Sequence, residues 1–301
     1  MTGICQGRVV IVTGAGRGLG RAHALEFARQ GAKVVVNVFG VSLDGREPSE
    51  GPAEEVVNEI RSMGGEAIAS AADIADWEQS GALVKAALAA FGRLDVVMNN
   101  AGVVRDRMFA NAAEDEWDAV MRVHLKGHFC LSRHAAAHWR DQSKAGKAVD
   151  ARILNTSSGA GLQGSVGQSA YSAAKGGIAA LTLVQAAELA RYGVTANAIA
   201  PSARTRMTET VFADMMKKPE SGFDSMDPAN VSPLVAWLGS AESRDVTGRV
   251  FEIAGGMISL ADGWRTGPKV DRGTRWEAAE VGAAVHELLA KAVPQQKVYG
   301  T

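Results

Sequence analysis

The chain has 301 residues, 47% of them hydrophobic, with 34 glycines and a formal net charge of −1. This is enough apolar material for one large α/β domain or two small ones, and the near-neutral balance gives no basic field for nucleic acid and no cationic face for a membrane. Cys5 and Cys130 are far apart and lack metal-ligand spacing, so neither a disulfide framework nor a zinc site is indicated, and small neutral partners fit best.

Taken in chain order, the opening "MTGICQGRVVIVTG" lacks the charged start and long apolar run of a signal peptide. No later stretch approaches about 18 consecutive apolar residues, and a cytoplasmic protein is expected. Short β-branched runs then alternate with longer Ala/Leu-rich segments of helical period. The strand candidates are "RVVIVTG", "KVVVNVF", "EAIASAAD", "LDVVMNN", "ARILNTSS", "VTANAIAP" and "RVFEIAGG". Alternation of this kind predicts an α/β fold, a doubly wound Rossmann-type sheet of seven parallel strands with helices on both faces. The largest departures are the polar stretch at 42–52 and the tail after Gly256. The expected organisation is one domain over 1–256 and an extension over 257–301, packed on that domain or on a partner subunit.

Between the first strand and its helix stands "TGAGRGLG", Thr13 to Gly20. Gly14 permits the tight turn, Gly18 lets backbone approach a pyrophosphate, and Gly20 allows helix to pack closely on strand, so phosphates meet the helix N-terminus. At the end of the second strand, 18 residues past Gly20, a dinucleotide site that selects NAD carries a carboxylate for the ribose 2′-OH; here the residue is Val38. Valine neither accepts that hydrogen bond nor repels a 2′-phosphate. Arg17, just before Gly18, offers a guanidinium for such a phosphate. Use of NAD(P)H leaning toward NADP(H) is therefore expected, against the plainer reading that Arg17 is solvated and Val38 packs on adenine.

Further along, "NTSSGAGLQGSVGQSAYSAAK" contains Ser158, Tyr171 and Lys175. Tyr171 and Lys175 are four apart on a helical segment, which places ammonium and phenol on one face. A nearby cation favours phenolate and moves a phenol toward the pKa that a general acid/base needs. Ser158 ends the fifth strand, where its hydroxyl is placed to hydrogen-bond a reacting carbonyl oxygen. Four histidines, His124, His128, His134 and His138, form two i,i+4 pairs about 15 Å apart along a helix. No carboxylate or cysteine completes either pair, so no metal is expected. The small residues around them ("RHAAAHW") read instead as a subunit interface.

These motifs resemble the short-chain dehydrogenase/reductase family: TGxxxGxG at Thr13 to Gly20, NNAG at Asn99 to Gly102, and a Ser followed thirteen residues later by YxxxK, over about Gly7 to Gly256. The resemblance implies nicotinamide-cofactor contacts from Gly14, Arg17, Gly18, Leu19, Gly20, Val38, Asp73, Ile74, Asn100, Ala101, Gly102, Tyr171, Lys175, Pro201 and Thr205. It also implies Asp73 on the adenine, Asn99 and Gly102 beside the adenosine ribose, and a proton passed by Tyr171. Where the family usually carries an Asn, "VHLKG" places His124, and the usual Pro-Gly after the sixth strand is Pro201-Ser202. In this family the helix carrying "RHAAAHW" and the one starting near Tyr171 pair across a two-fold axis, which implies a homodimer or homotetramer.

Finer segments, "DRMF", "VHLKGHF", "APSARTRMTETVF" and "DGWRTGPKVDRGTRWE", are similar to the (3R)-hydroxyacyl-CoA dehydrogenase part of the multifunctional β-oxidation enzyme and its stand-alone bacterial relatives. That implies a 3-hydroxyacyl-CoA or hydroxysteroid substrate, including steroid side-chain thioesters. The alternatives are a 3-oxoacyl or broad carbonyl reductase and a cofactor-sensing regulator without turnover. Met207, Val211, Phe212, Met215 and Met216 are read either as an apolar lid or as a helix packed on the core, and Trp264 and Trp276 as anchors of the tail.

Overall fold

The computed structural model describes residues 3–39, 51–205 and 217–300. The proposed lid residues 207–216 and most of the polar stretch lie outside the described residues. A single sheet runs through the molecule in the order β3-β2-β1-β4-β5-β6-β7-β8. Its strands are β1 (Val9–Thr13), β2 (Lys33–Asn37), β3 (Ala67–Ser70), β4 (Val96–Asn99), β5 (Ala151–Thr156), β6 (Val194–Ser202), β7 (Val250–Ala254) and β8 (Met257–Ala261). The α-helices among the described residues are α1 (Gly18–Arg29), α2 (Gly51–Ser62), α3 (Trp77–Phe91), α4 (Glu114–Met121), α5 (Gly127–Lys144), α6 (Gly159–Gln163), α7 (Ser169–Leu189), α8 (Ser232–Gly239) and α9 (Ala278–Lys291).

The first seven strands are parallel, as their unbroken β-branched runs require of strands covered on both faces. Alternate residues serve the two sides. Val10, Val12, Val34 and Val36 pack with Leu25 and Phe27 of α1 and Val56 and Ile60 of α2, whereas Val9, Ile11, Val35 and Val97 pack with Leu83 of α3 and Leu131 and Trp139 of α5. The expectation of seven strands is corrected by β8. A two-residue turn at Gly255-Gly256 sends the chain back antiparallel, pairing Ala254 with Met257 and Val250 with Ala261. A strand that follows its neighbour directly, without a crossover helix, is restricted to antiparallel pairing.

Strand order reverses between β1 and β4, so the crevice at the carboxyl ends of these strands is the topological switch point where ligands bind in open α/β sheets. In the tail beyond β8, Trp264 is fully exposed in the single chain, and Trp276 is partly buried with the Arg272 guanidinium 5.7 Å from its ring.

Candidate active site

The glycine-rich turn sits where β1 ends and α1 begins. Gly14 and Gly18 have φ of 63° and 53°, the left-handed region that only glycine enters without strain. A Cβ at Gly14 would stand 2.8 Å from Ala101 Cα, and one at Gly20 would stand 2.6 Å from Asn100 Nδ2 and collide with Gly14 O. α1 begins without a side-chain cap and without an acidic residue in its first turn, which leaves its N–H groups and dipole facing the crevice for an anion. Arg17 is exposed at that end, Leu19 partly buried, and Val38 stands across the turn, with its Cγ2 3.0 Å from where a Gly16 Cβ would be. These residues fit a dinucleotide pyrophosphate.

β4 delivers Asn100, Ala101 and Gly102 to the same crevice. Asn100 N–H and Ala101 N–H donate to Thr13 Oγ1 at 2.9 and 3.1 Å, and Asn100 Nδ2 donates to Thr13 O at 3.0 Å. Thr13, not singled out from the sequence, therefore ties β4 to the glycine turn. Asn99 is not at the surface. It is fully buried, with Nδ2 donating to Ser132 Oγ at 2.8 Å and Asn155 Oδ1 at 3.0 Å, so it does not border a ribose. Asp73 accepts from Ala75 N–H at 2.9 Å and pairs with Arg122 at 2.5 Å, while Ile74 is buried against Gly127. Pro201 lies near the end of β6, and Thr205 Cγ2 is 3.5 Å from where a Gly18 Cβ would stand.

The Ser-Tyr-Lys group forms on β5, α6 and α7. Ser158 ends the run of β5 and caps α6, its Oγ accepting from Ala160 N–H at 3.2 Å. One helical turn sets Lys175 below Tyr171, with Nζ 5.5 Å from the phenol ring centre and donating to Thr156 O at 2.6 Å. Burial pushes the ammonium pKa down from 10.5 to about 7, because charge is costly away from water. The phenol departs from the sequence expectation: its pKa is raised, chiefly by burial, with a Ser158 hydrogen bond pulling it down and Asp106 pushing it up. The ammonium is directed at a backbone carbonyl and is itself desolvated, so it does not outweigh the burial of Tyr171.

His124 belongs to a π-helical turn, Arg122–Lys126, that leads into α5. The extra residue turns the imidazole toward the site, edge-on to Tyr171 with ring centres 5.2 Å apart. Its Nε2 lies 2.7 Å from Val103 O, to which the Nε2–H tautomer donates, and a Cβ on Gly102 would overlap the ring. Burial is the main reason that its pKa falls to about 3, so the imidazole is neutral at physiological pH. Among the described residues no three His, Cys, Asp or Glu side chains are grouped to hold a metal, and no helix is long and apolar enough to cross a membrane.

A doubly wound sheet with a glycine cradle at its switch point and Ser, Tyr and Lys converging two strands away defines a dinucleotide-dependent oxidoreductase. The chain belongs to the short chain dehydrogenase family, whose model matches residues 8–216. It is 44% identical to hydroxyacyl-CoA dehydrogenase ChsB1 of Mycobacterium tuberculosis over 98% of this chain and 92% of that one. It is 45% identical to peroxisomal multifunctional enzyme type 2 of Mus musculus over 84% of this chain and 32% of that protein, so it spans about a third of the larger enzyme. A solved short chain dehydrogenase from Mycobacterium avium superposes with a TM-score of 0.91 at 62% identity, covering 99% of this chain and 100% of the other. The protein is a short-chain dehydrogenase, and the family uses NAD(P).

Proposed function

We propose that the enzyme interconverts 3-hydroxyacyl-CoA and 3-oxoacyl-CoA thioesters, including those of steroid side chains. The observation that carries this reading is the Ser158 hydroxyl interacting with the Tyr171 phenol, one helical turn above buried Lys175. Support for the substrate class comes from the likeness to hydroxyacyl-CoA dehydrogenase ChsB1 over nearly the whole chain.

Tyr171 donates its proton to the carbonyl oxygen in reduction and accepts it from the hydroxyl in oxidation. A nicotinamide held in this crevice would supply the hydride in reduction and take it in oxidation. Ser158 holds the reacting oxygen by hydrogen bond, and its pull on the phenol pKa opposes the rise caused by burial. Lys175 braces the site from below by donating to Thr156 O, while neutral His124 packs edge-on against Tyr171 and fixes its ring. Gly14, Gly18, Gly20, Asn100, Ala101 and Gly102 would hold the dinucleotide, with Asp73, Ile74, Pro201 and Thr205 bordering it.

Cofactor use leans toward NADP(H), because Val38 supplies no carboxylate for a ribose 2′-OH and exposed Arg17 stands at the phosphate end of α1. Two copies of the chain assemble through α5 and α7. Phe129, Leu183 and Val184 are 46, 53 and 50% exposed on those helices, beside a groove of about 580 Å³. Isolated apolar residues are common on surfaces, but a contiguous patch on two neighbouring helices marks an interface.

Purified protein is to be assayed with 3-oxoacyl-CoA, steroid and small-ketone substrates and with both nicotinamide cofactors. Tyr171→Phe keeps the ring and removes the proton, and should lower kcat about 100-fold or more with little change in cofactor KM. Retention of most activity by Tyr171→Phe would refute the proton-transfer role; turnover of small ketones alone would refute the substrate class.

A further inference from the structure

The end of the chain returns to the site across most of the sequence. Tyr299 N–H donates to Gly164 O at 3.1 Å and Val166 N–H donates to Tyr299 O at 2.9 Å, so the segment at 298–300 runs parallel to the loop between α6 and α7 and bridges it at Ser165. The far end of the same loop is bonded to the segment after β4. Arg107 N–H donates to Gly167 O at 2.7 Å, and Gln168 Nε2 donates to the Asp106 carboxylate at 3.1 and 3.0 Å. Three stretches distant in sequence thus form one rim, which starts just after Ser158 and ends just before Tyr171.

The Tyr299 ring packs on the residue next to Ser158. A Cβ at Gly159 would stand 2.6 Å from Tyr299 Oη and 2.9 Å from its Cε2, so glycine at this position leaves the space the ring fills. Val298 continues the contact, with Cγ1 3.5 Å from where a Gly164 Cβ would be. Part of the residue remains accessible: Tyr299 is 43% exposed. On the segment after β4 that meets the loop, Met108 and Phe109 are exposed too. The tail thus pins its backbone to the loop and leaves part of Tyr299 accessible, its ring against the residue that follows Ser158.

Building on the reading of this site as one of carbonyl reduction, we propose that Tyr299 is a specificity-determining residue. Its ring forms the substrate-facing wall on the Ser158 side and contacts the part of an acyl substrate that extends beyond the reacting carbon. Apolar contact scales with the area covered, so the wall favours long acyl chains and is indifferent to short ones.

The test measures kcat and KM of the full chain on a four-carbon and a twelve-carbon 3-oxoacyl-CoA. Tyr299→Ala should raise KM for the long substrate about tenfold, with a change under about twofold for the short one and for the nicotinamide cofactor. Tyr299→Phe, which keeps the ring, should recover most of the loss. Gly159→Ala, whose new methyl displaces the ring while leaving every tail residue unchanged in sequence, should reproduce the chain-length effect and serves if Tyr299→Ala is poorly folded. Equal KM changes for both chain lengths, or no change in either variant, would overturn the assignment. A wild-type enzyme that reduces neither thioester would instead overturn the reading of the site on which the assignment rests.

Discussion

Lys175 is a charge held away from water, and replacing it should stabilise the fold while disabling the enzyme. The side chain is 2% exposed, and its pKa falls from 10.5 to about 7 through loss of hydration. A fall of that size corresponds to about 5 kcal/mol of preference for the neutral form, an upper value for the cost of burying the ammonium. Lys175→Met keeps an unbranched chain of similar length and removes the charge. It also deprives Thr156 O of a donor at 2.6 Å, which costs about 1–3 kcal/mol. The net expectation is a gain of about 2 kcal/mol at pH 7, or roughly 5 °C in Tm.

The pH dependence separates this cause from a general packing effect. Because the folded pKa lies below the unfolded one, the unfolded chain binds the extra proton, and native wild type is penalised fully below about pH 7. The penalty fades as pH rises toward 10.5 and is gone only above it, where the lysine is neutral in both states. Thermal unfolding of wild type and Lys175→Met without added nucleotide, at pH 6.5 and about pH 10, measures it. The variant should lead at the lower pH and lose its advantage at the higher. A variant less stable than wild type at pH 6.5, or a gap that ignores pH, would refute the reasoning.

Val38→Asp should move kcat/KM toward NAD(H), and Arg17→Ala should weaken NADP(H) more than NAD(H); a wild type that strongly prefers NAD(H) and is unmoved by Val38→Asp would show that position 38 does not read the ribose. Leu183→Glu, placing a charge on the exposed face of α7, should shift light-scattering mass from dimer or tetramer to monomer at micromolar protein, and an unchanged mass would place the interface elsewhere.

The glycine turn and the Ser-Tyr-Lys group were legible because their spacing is local. Gly14 to Gly20 span one strand–helix junction, and Tyr171 and Lys175 one helical turn. What escaped the sequence depends on contacts between distant segments. Lys175 bonds the carbonyl of Thr156 rather than standing free to polarise the phenol. Asn99 looks like its neighbour Asn100, yet strand alternation turns it into the core. β8 follows a glycine pair that equally suits the end of a domain, and its pairing is settled only by the edge that β7 offers. Nothing near Tyr299 in sequence announces Gly159, 140 positions earlier.

The buried amides of Asn99 and Asn155 also bear on how the sheet assembles. The two residues face each other in the β4–β5 ladder and are bonded at 3.0 Å, and Asn155 Nδ2 continues to Thr182 Oγ1 and Gln185 Oε1 of α7 at 2.9 and 2.8 Å. Parallel strands of Val, Ile and Leu slide past one another with little loss of apolar contact, so their alignment is weakly encoded by oiliness alone. A slip of two residues here would keep every hydrophobic side chain on its proper face and yet set both amides against aliphatic neighbours, each unmet polar group costing about 1–3 kcal/mol. The pair therefore favours one alignment of the central strands in the folded protein, and through Thr182 and Gln185 it ties α7, which carries Tyr171 and Lys175, to that alignment.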